Sequence, residues 1–558
     1  MNSKTNISTI KFIPGKLNQW NSFKKNDHTI WIAGDNISKK YNYLIEKLST
    51  NIKINKDYIK ETIKNIDDHF GIVVISKNWS FAAVDCARSY PIFWKKTKAN
   101  FILSPQAKCI VKEKEDTIDK HQLVAFRMSG YTINEGTLWN NINNLNPGNF
   151  IFIKSQNNFY IEKHFVYDPW HISTRSYNDL KKQLKYEISR VLKNIIVKAN
   201  GRTIAIPLSA GLDSRLIASG LKHLNYNNVK CFSYGLKNNF ESNGSKIIAK
   251  KLGYKWNFVE INQNNAKNFS LSPTYNKFIS NTLDGCATAS IQGLYAIDIL
   301  LKNKYLDKED IIVNGNSGDF ISGGHIPKIL LTWKNSKDIN LLFDEIFEAH
   351  FYKHYALWDS LLSTENKKII KKQLLIQIEK NLYNINSNFM PQGVVEFLEY
   401  ENRQTKFVAN CQRIYEFYNL KWQLPLWDKS FINFWSYVPL KYKIDQKLYK
   451  DTLNELNMGK VWGGQYDFKP FVSPSWVRML RYIFKAYFIF LGKKKWHIFE
   501  RRYLNYWTDN ICGQSAFPYK KIIKNKNGAR HYVSWLTIFS EDLILNSNWQ
   551  NLNIKHDN

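Results

Sequence analysis

A chain of 558 residues is too long for one ordinary core; the domain-size prior gives two to four folding units, and two are expected, the second large. A content of 44% hydrophobic and 15% aromatic residues excludes a disordered chain, and six dispersed cysteines (Cys86, Cys109, Cys231, Cys286, Cys411, Cys512) with no C-x-x-C pair exclude a disulfide framework or a cysteine-zinc site. The formal charge of +32 is spread as single lysines through an Asn- and Ile-rich sequence, so it reads first as a solvated surface, second as an anionic substrate or membrane surface, and last as nucleic-acid binding, for which no recognised motif occurs.

The N-terminal MNSKTNISTIKF has no apolar core of signal-peptide length, which argues against secretion and for a reducing cytoplasm. Residues 1–165 read as short strands and turns. FGIVVIS (70–76) and SFAAVDC (80–86) flank the turn KNW as a hairpin, and ANFILS (99–104), NFIFIKS (149–155) and NFYIEKHF (158–165) follow, punctuated by turns such as NPGN. Pro169 marks a boundary near residue 170. From 171 to 558 the pattern first alternates: TIAIPL strand, DSRLIASGLKHL helix, VKCFSYG strand, SKIIAKKLG helix, WNFVEI strand. Such alternation predicts a parallel sheet with crossover helices. Beyond about 270 the pattern is mostly helical, with a further buried-strand candidate in IIVNG (311–315). The stretch WVRMLRYIFKAYFIFLG (476–492), followed by Lys493, Lys494 and Lys495, is too short and too interrupted to span a bilayer. A helix packed on the body of the protein is the favoured reading; an interfacial basic helix, with peripheral contact at the inner membrane face, is the other.

In an open parallel sheet the ligand crevice lies beyond the carboxyl ends of the strands. The loop SAGLDS (209–214) ends the first strand of the second region and opens a helix. Its small residues and amides suit a phosphate, Ser209 and Ser214 add hydroxyls, and Asp213 can hold magnesium. On its own the hexapeptide is equally a capped strand-helix corner.

This loop resembles the S-G-G-x-D-S pyrophosphate loop of N-type ATP pyrophosphatases, and the longer likeness is to the asparagine synthetase family. Ser209, Gly211, Asp213 and Ser214 match, with Ala210 where the family has glycine. The resemblance implies that ATP is split between its α- and β-phosphates and that a carboxylate is activated as its adenylate. FSYG (232–235) is similar to the strand end carrying adenine and ribose contacts, which implicates Ser233, Tyr234 and Gly235. NGNSGDFISGGH (314–325) is similar to the family's second acidic block; Asp319 takes the second magnesium aspartate, Asn314 and Gly315 the AMP-contacting pair, and Asn316 replaces the glutamate that accepts a proton from the incoming amine. An amide cannot accept that proton but can orient a nucleophile. His325 is a candidate acceptor by its ordinary pKa, although a structural turn histidine is the favoured reading. In the stretch 424–455, which resembles the P-F-L-D segment and the helix after it, Lys450 takes the place of an active-site lysine.

The first region resembles the family's glutaminase domain at 67–76, 85–94 and 126–153. Position 2 is Asn where a working glutaminase has its cysteine, and Cys86 reads as core, so glutamine hydrolysis by this chain is not expected. The expected fold is therefore an α+β Ntn-hydrolase-like domain (1–170) joined to an α/β synthetase domain (171–558) with a doubly wound, adenine-nucleotide-α-hydrolase-like parallel sheet and a helical extension. The expected activity is amide formation using ATP and Mg2+, from a carboxylate (an amino acid or sugar acid) and ammonia or an amine supplied from solution or a separate source. The alternatives are a lactam- or peptide-cyclising synthetase, a tRNA-type adenylating enzyme, and a non-catalytic scaffold.

Overall fold

The structure is a computed structural model, and it describes residues 9–17, 20–49, 54–98, 100–112, 115–155, 157–331, 339–380 and 391–545. Asn2, the residue at the expected nucleophile position, lies outside them.

The first part is two stacked sheets. Strands β1 (Thr9–Phe12), β2 (Asn21–Lys25), β3 (His28–Gly34), β4 (Phe70–Ile75), β5 (Ser80–Val84), β6 (Phe93–Lys96), β7 (Asn100–Ser104), β8 (Asn143–Asn144), β9 (Asn149–Ser155) and β10 (Asn158–Lys163) divide between them. One sheet runs β10-β9-β5-β4-β3-β2, entirely antiparallel; the other runs β1-β7-β6-β8, with β1 parallel to β7. The apolar run of β4 is buried on both sides because its faces have different partners. Ile72 and Val74 pack with Leu44, Leu48, Ile59 and Ile63 of helices α1 (Ile37–Leu48) and α2 (Lys56–Lys64), while Val73 packs with Phe101 and Leu103 of the second sheet. The β4–β5 hairpin forms as expected, with Ile75 opposite Ser80. Helix α3 (Lys120–Ser129) is capped by Asp119, whose carboxylate accepts from the amides of His121 and Gln122.

Between β10 and helix α4 (Tyr177–Ala199) the chain passes to a five-stranded sheet, all parallel, in the order β13-β12-β11-β14-β15. Its strands are β11 (Ile204–Pro207), β12 (Val229–Gly235), β13 (Lys255–Glu260), β14 (Ile311–Val313) and β15 (Lys421–Gln423). Helices α5 (Leu212–His223) and α6 (Phe240–Leu252) make the crossovers. The strands grow outward from β11 through β12 to β13, and then the chain returns to lay β14 on the other side of β11. The topological switch therefore falls between β11 and β14, where the ends of two strands open a crevice.

Later helices wrap this sheet. Among them, Pro391–Leu398 continues into a ten-residue π-helix, Glu399–Val408, that reaches across to the first part: Tyr400 donates to the carbonyl of Cys86, and Lys406 donates to that of Thr132 at 2.9 Å. One contiguous core includes Cys86, Phe126 and Trp139 from the first part together with Ile206, Ile312 and Trp435 from the second. The helix Ser475–Phe488 departs from expectation: it packs on the helix Lys493–Tyr503 along one side only, and its other side is exposed.

Candidate active site

Ser209 to Ser214 connect β11 to α5, and Asn314 to Asp319 follow β14. Because β11 and β14 are neighbours, the two loops meet. Glycines permit the contact: a Cβ on Gly315 would stand 2.7 Å from the Asp213 Cβ, and one on Gly318 only 2.4 Å from the Asp213 Cγ. The Asp319 amide donates to Asp213 Oδ2 at 2.9 Å. The first loop is self-braced, with the Ser209 amide donating to Ser214 Oγ at 3.0 Å and the Gly211 amide to Ser209 Oγ at 3.1 Å. Ala210 fits because its methyl sits over Gly244, where an added Cβ would come within 2.7 Å of it.

These loops open into a cleft of about 600 Å³. Ser209, Gly211, Asp213, Ser214, Ser233, Tyr234, Asn314, Gly315, Asn316 and Asp319 all line it. Some of them do so as framework. Ser233 Oγ donates to the Leu208 carbonyl at 2.6 Å, and Asn314 donates to Gln412 Oε1 at 3.2 Å while accepting from the Asn316 amide. Two expected residues stand elsewhere. Gly235 is at the end of β12 against Asn510, which takes the cleft position instead. Lys450 lies on the exposed side of the helix Lys447–Leu456, whose inward residue is the buried Tyr449, donating to Asp213 Oδ1 at 3.1 Å. On a helix adjacent residues are turned about 100° apart, so Tyr449 and Lys450 cannot both face the cleft.

His325 is a site residue and more than a turn histidine. Its Nε2 lies 3.0 Å from Asp319 Oδ2 and its Nδ1 2.5 Å from Glu399 Oε1. Burial pulls its pKa down, but the hydrogen bonds to Asp319 and Glu399 outweigh that and lift it to about 9. Glu399, 1% exposed, is also 3.1 Å from His354 Nε2 and 3.2 Å from Arg403 Nη1. Burial works against its charge, yet His354 and His325 hold it well below the usual carboxylate range. Arg403, Gln404, Phe407 and Val408 of the π-helix line the cleft; no motif or periodicity in the sequence marks them.

Burial, followed by the charge of Asp319, pushes Asp213 up to about 8. Asp319 has His325 beside it, but Asp213 is bonded to the Tyr449 hydroxyl and the Asp319 amide, so a divalent cation at the two carboxylates would offset its charge. Among the described residues no group of three or more His, Cys, Asp or Glu side chains could hold a metal ion, so magnesium at Asp213 and Asp319 would take its other ligands from phosphate and water.

A parallel α/β sheet with a small-residue loop, a helix N-terminus and paired carboxylates at its switch point is an arrangement that can receive a phosphate-bearing ligand. Residues 199–459 match the family model described as asparagine synthase, so this part of the chain is asparagine synthase-like. No curated protein matches the chain. Two solved structures are similar to part of it: the allosteric regulatory enzyme of purine biosynthesis, at 9% identity over 43% of this chain and 62% of that one, and the glutamine phosphoribosylpyrophosphate amidotransferase from B. subtilis complexed with ADP and GMP, at 9% over 43% and 73%. The first match thus spans less than two thirds of that protein. Both have a TM-score of 0.18, too low to carry an argument.

Proposed function

We propose that this chain activates a carboxylate as its acyl-adenylate and passes the acyl group to ammonia or an amine. The observation that carries this reading is the meeting of the 209–214 and 314–319 loops, with Asp319 bonded through its amide to Asp213 inside the cleft.

A carboxylate oxygen of the substrate attacks the α-phosphorus of ATP, and the bond to the β-phosphate oxygen breaks. Pyrophosphate leaves toward the Ser209–Ser214 loop, where the amides at the start of α5 and the two serine hydroxyls stabilise its charge. Asp213 and Asp319 would hold magnesium, which would supply positive charge beside this leaving group. Arg403 and His325 bring cationic groups to the same cleft, suited to the incoming carboxylate. The amine then attacks the acyl carbon and AMP departs. Asn316 orients the amine through its amide but cannot take its proton, and both ring nitrogens of His325 are engaged by Asp319 and Glu399. The proton therefore leaves to solvent or to the departing phosphate.

Purified protein incubated with ATP, Mg2+, an ammonium salt and a panel of amino-acid and uronic-acid carboxylates should release pyrophosphate with at least one of them. Asp213→Ala and Asp319→Ala should abolish that release. Survival of either variant removes the metal assignment, and silence of the parent protein across the panel favours a binding role.

A further inference from the structure

The hairpin of helices Ser475–Phe488 and Lys493–Tyr503 carries apolar residues that its own packing does not use. Inward, Val477 is fully buried, Phe484 and Phe488 each set their rings 5.0 Å from Phe499, and Arg481 Nε donates to Glu500 Oε1 at 2.6 Å. Outward, Met479, Tyr482, Ile483 and Tyr487 form a second stripe at helical spacing, which runs on into Ile489 and Phe490 at the turn. These six side chains are 64 to 89% exposed. A helix that only packed on the body would be polar on that side.

Charge narrows what can cover it. Residues 475–503 contain eight lysines and arginines and one acidic residue, Glu500, which is already paired to Arg481. Lys485 and Lys493, Lys494 and Lys495 are exposed beside the stripe and the turn. A second copy docked symmetrically would bring these cations against their own equivalents. A surface of anionic headgroups over acyl chains satisfies both the stripe and the cations. The first helix is 14 residues, about 21 Å at the α-helical rise, short of the ~30 Å hydrocarbon core, and among the described residues no helix is long and apolar enough to cross a membrane.

We propose that this hairpin docks the protein on an anionic phospholipid bilayer, with the outward stripe and the Ile489–Phe490 tip at the acyl–headgroup boundary and Lys485 and Lys493–Lys495 among the headgroups. Docking would hold the cleft near that surface, since Trp476 contacts Trp507 at 5.6 Å and the chain lines the cleft again at Asn510. This inference stands independently of the reaction proposed above.

The test is co-sedimentation of the full chain with vesicles of phosphatidylcholine alone and of phosphatidylcholine mixed with phosphatidylglycerol. Binding should favour the mixed vesicles and fall with salt. Ile483→Glu with Phe490→Glu should weaken it at least about tenfold, and Lys494→Gln with Lys495→Gln should weaken it selectively on the mixed vesicles. Unchanged circular dichroism and thermal midpoint would show both variants folded. Absence of binding to the mixed vesicles, or equal binding by folded variants, overturns the proposal. So does a dimer that Phe490→Glu splits without any vesicle binding, which would assign the face to a second copy.

Discussion

Ala210 and Gly244 form a matched pair: the 209–214 loop carries a methyl there because α6 lacks one at the point of contact. Gly244→Ala should therefore destabilise the protein by about 1–3 kcal/mol through overpacking, and Ala210→Gly should restore part of that loss, a coupling that a double-mutant cycle by thermal melting will read. Phe468, 3.0 Å from the same added Cβ, limits the rescue. Gly318 has a different role. A Cβ there would displace the Asp213 carboxyl itself, so Gly318→Ala should cost on the order of 100-fold or more in pyrophosphate release, a penalty typical of an ångström-scale misplacement of a reacting group. Its thermal midpoint should fall as well, because the same Cβ would stand 2.5 Å from Leu426 Cδ1. That Tyr449 faces the cleft, at Asp213, and the expected Lys450 does not is also a matter of one residue, and it follows from the facing of a single helix.

At the scale of elements, the order of strands decides the site. Had the chain continued past β13 in place of returning beside β11, the 314–319 loop would lie far from Asp213. The π-helix Glu399–Val408 is the second such element, since it sets Glu399 behind His325 and Arg403 in the cleft. In the first part, His164 ties the end of β10 to β5 by its Nε2, which donates to the Val84 carbonyl at 2.8 Å. Burial lowers this histidine from 6.5 to about 4. Unfolded protein therefore binds the proton more readily than native protein between those values, and stability falls as pH drops from 6.5 toward 4. The contribution is on the order of 3 kcal/mol. His164→Gln, which keeps a donor and removes the titration, should flatten the dependence of denaturant midpoint on pH across that window; parallel curves would refute the assignment.

Over the whole molecule the two parts share one core, and some of the contacts joining them come from the helix that also walls the cleft. Neither Cys86 nor Cys411 is placed to act as a ready thiolate nucleophile. Cys86 is buried, its thiol raised well above the usual range first by burial and then by Asp85, and Cys411, the one lining the cleft, is likewise raised by burial. With any carboxylate that is turned over, ammonium should support activity and glutamine should not, as followed by glutamate release. Efficient glutamate release would show a nucleophile outside these residues.

Much of this was legible in the amino-acid order alone. The β4–β5 hairpin, β7, β9, β10 and the alternation from β11 to β14 follow from local apolar runs and turns. The 209–214 loop and the 314–319 block are likewise each contiguous in sequence, so both could be picked out from neighbouring residues, whereas their meeting could not. Strands β2, mostly exposed at a sheet edge, and β15, three residues long, have too weak a pattern to be read. The cleft wall from Arg403 to Val408, the Glu399–His325 pair and the turning of Lys450 to solvent come from packing between segments distant in sequence. The same holds for residues 476–490: periodicity marks their apolar positions, but only the neighbours present in the fold decide which stripe is covered and which is left facing out.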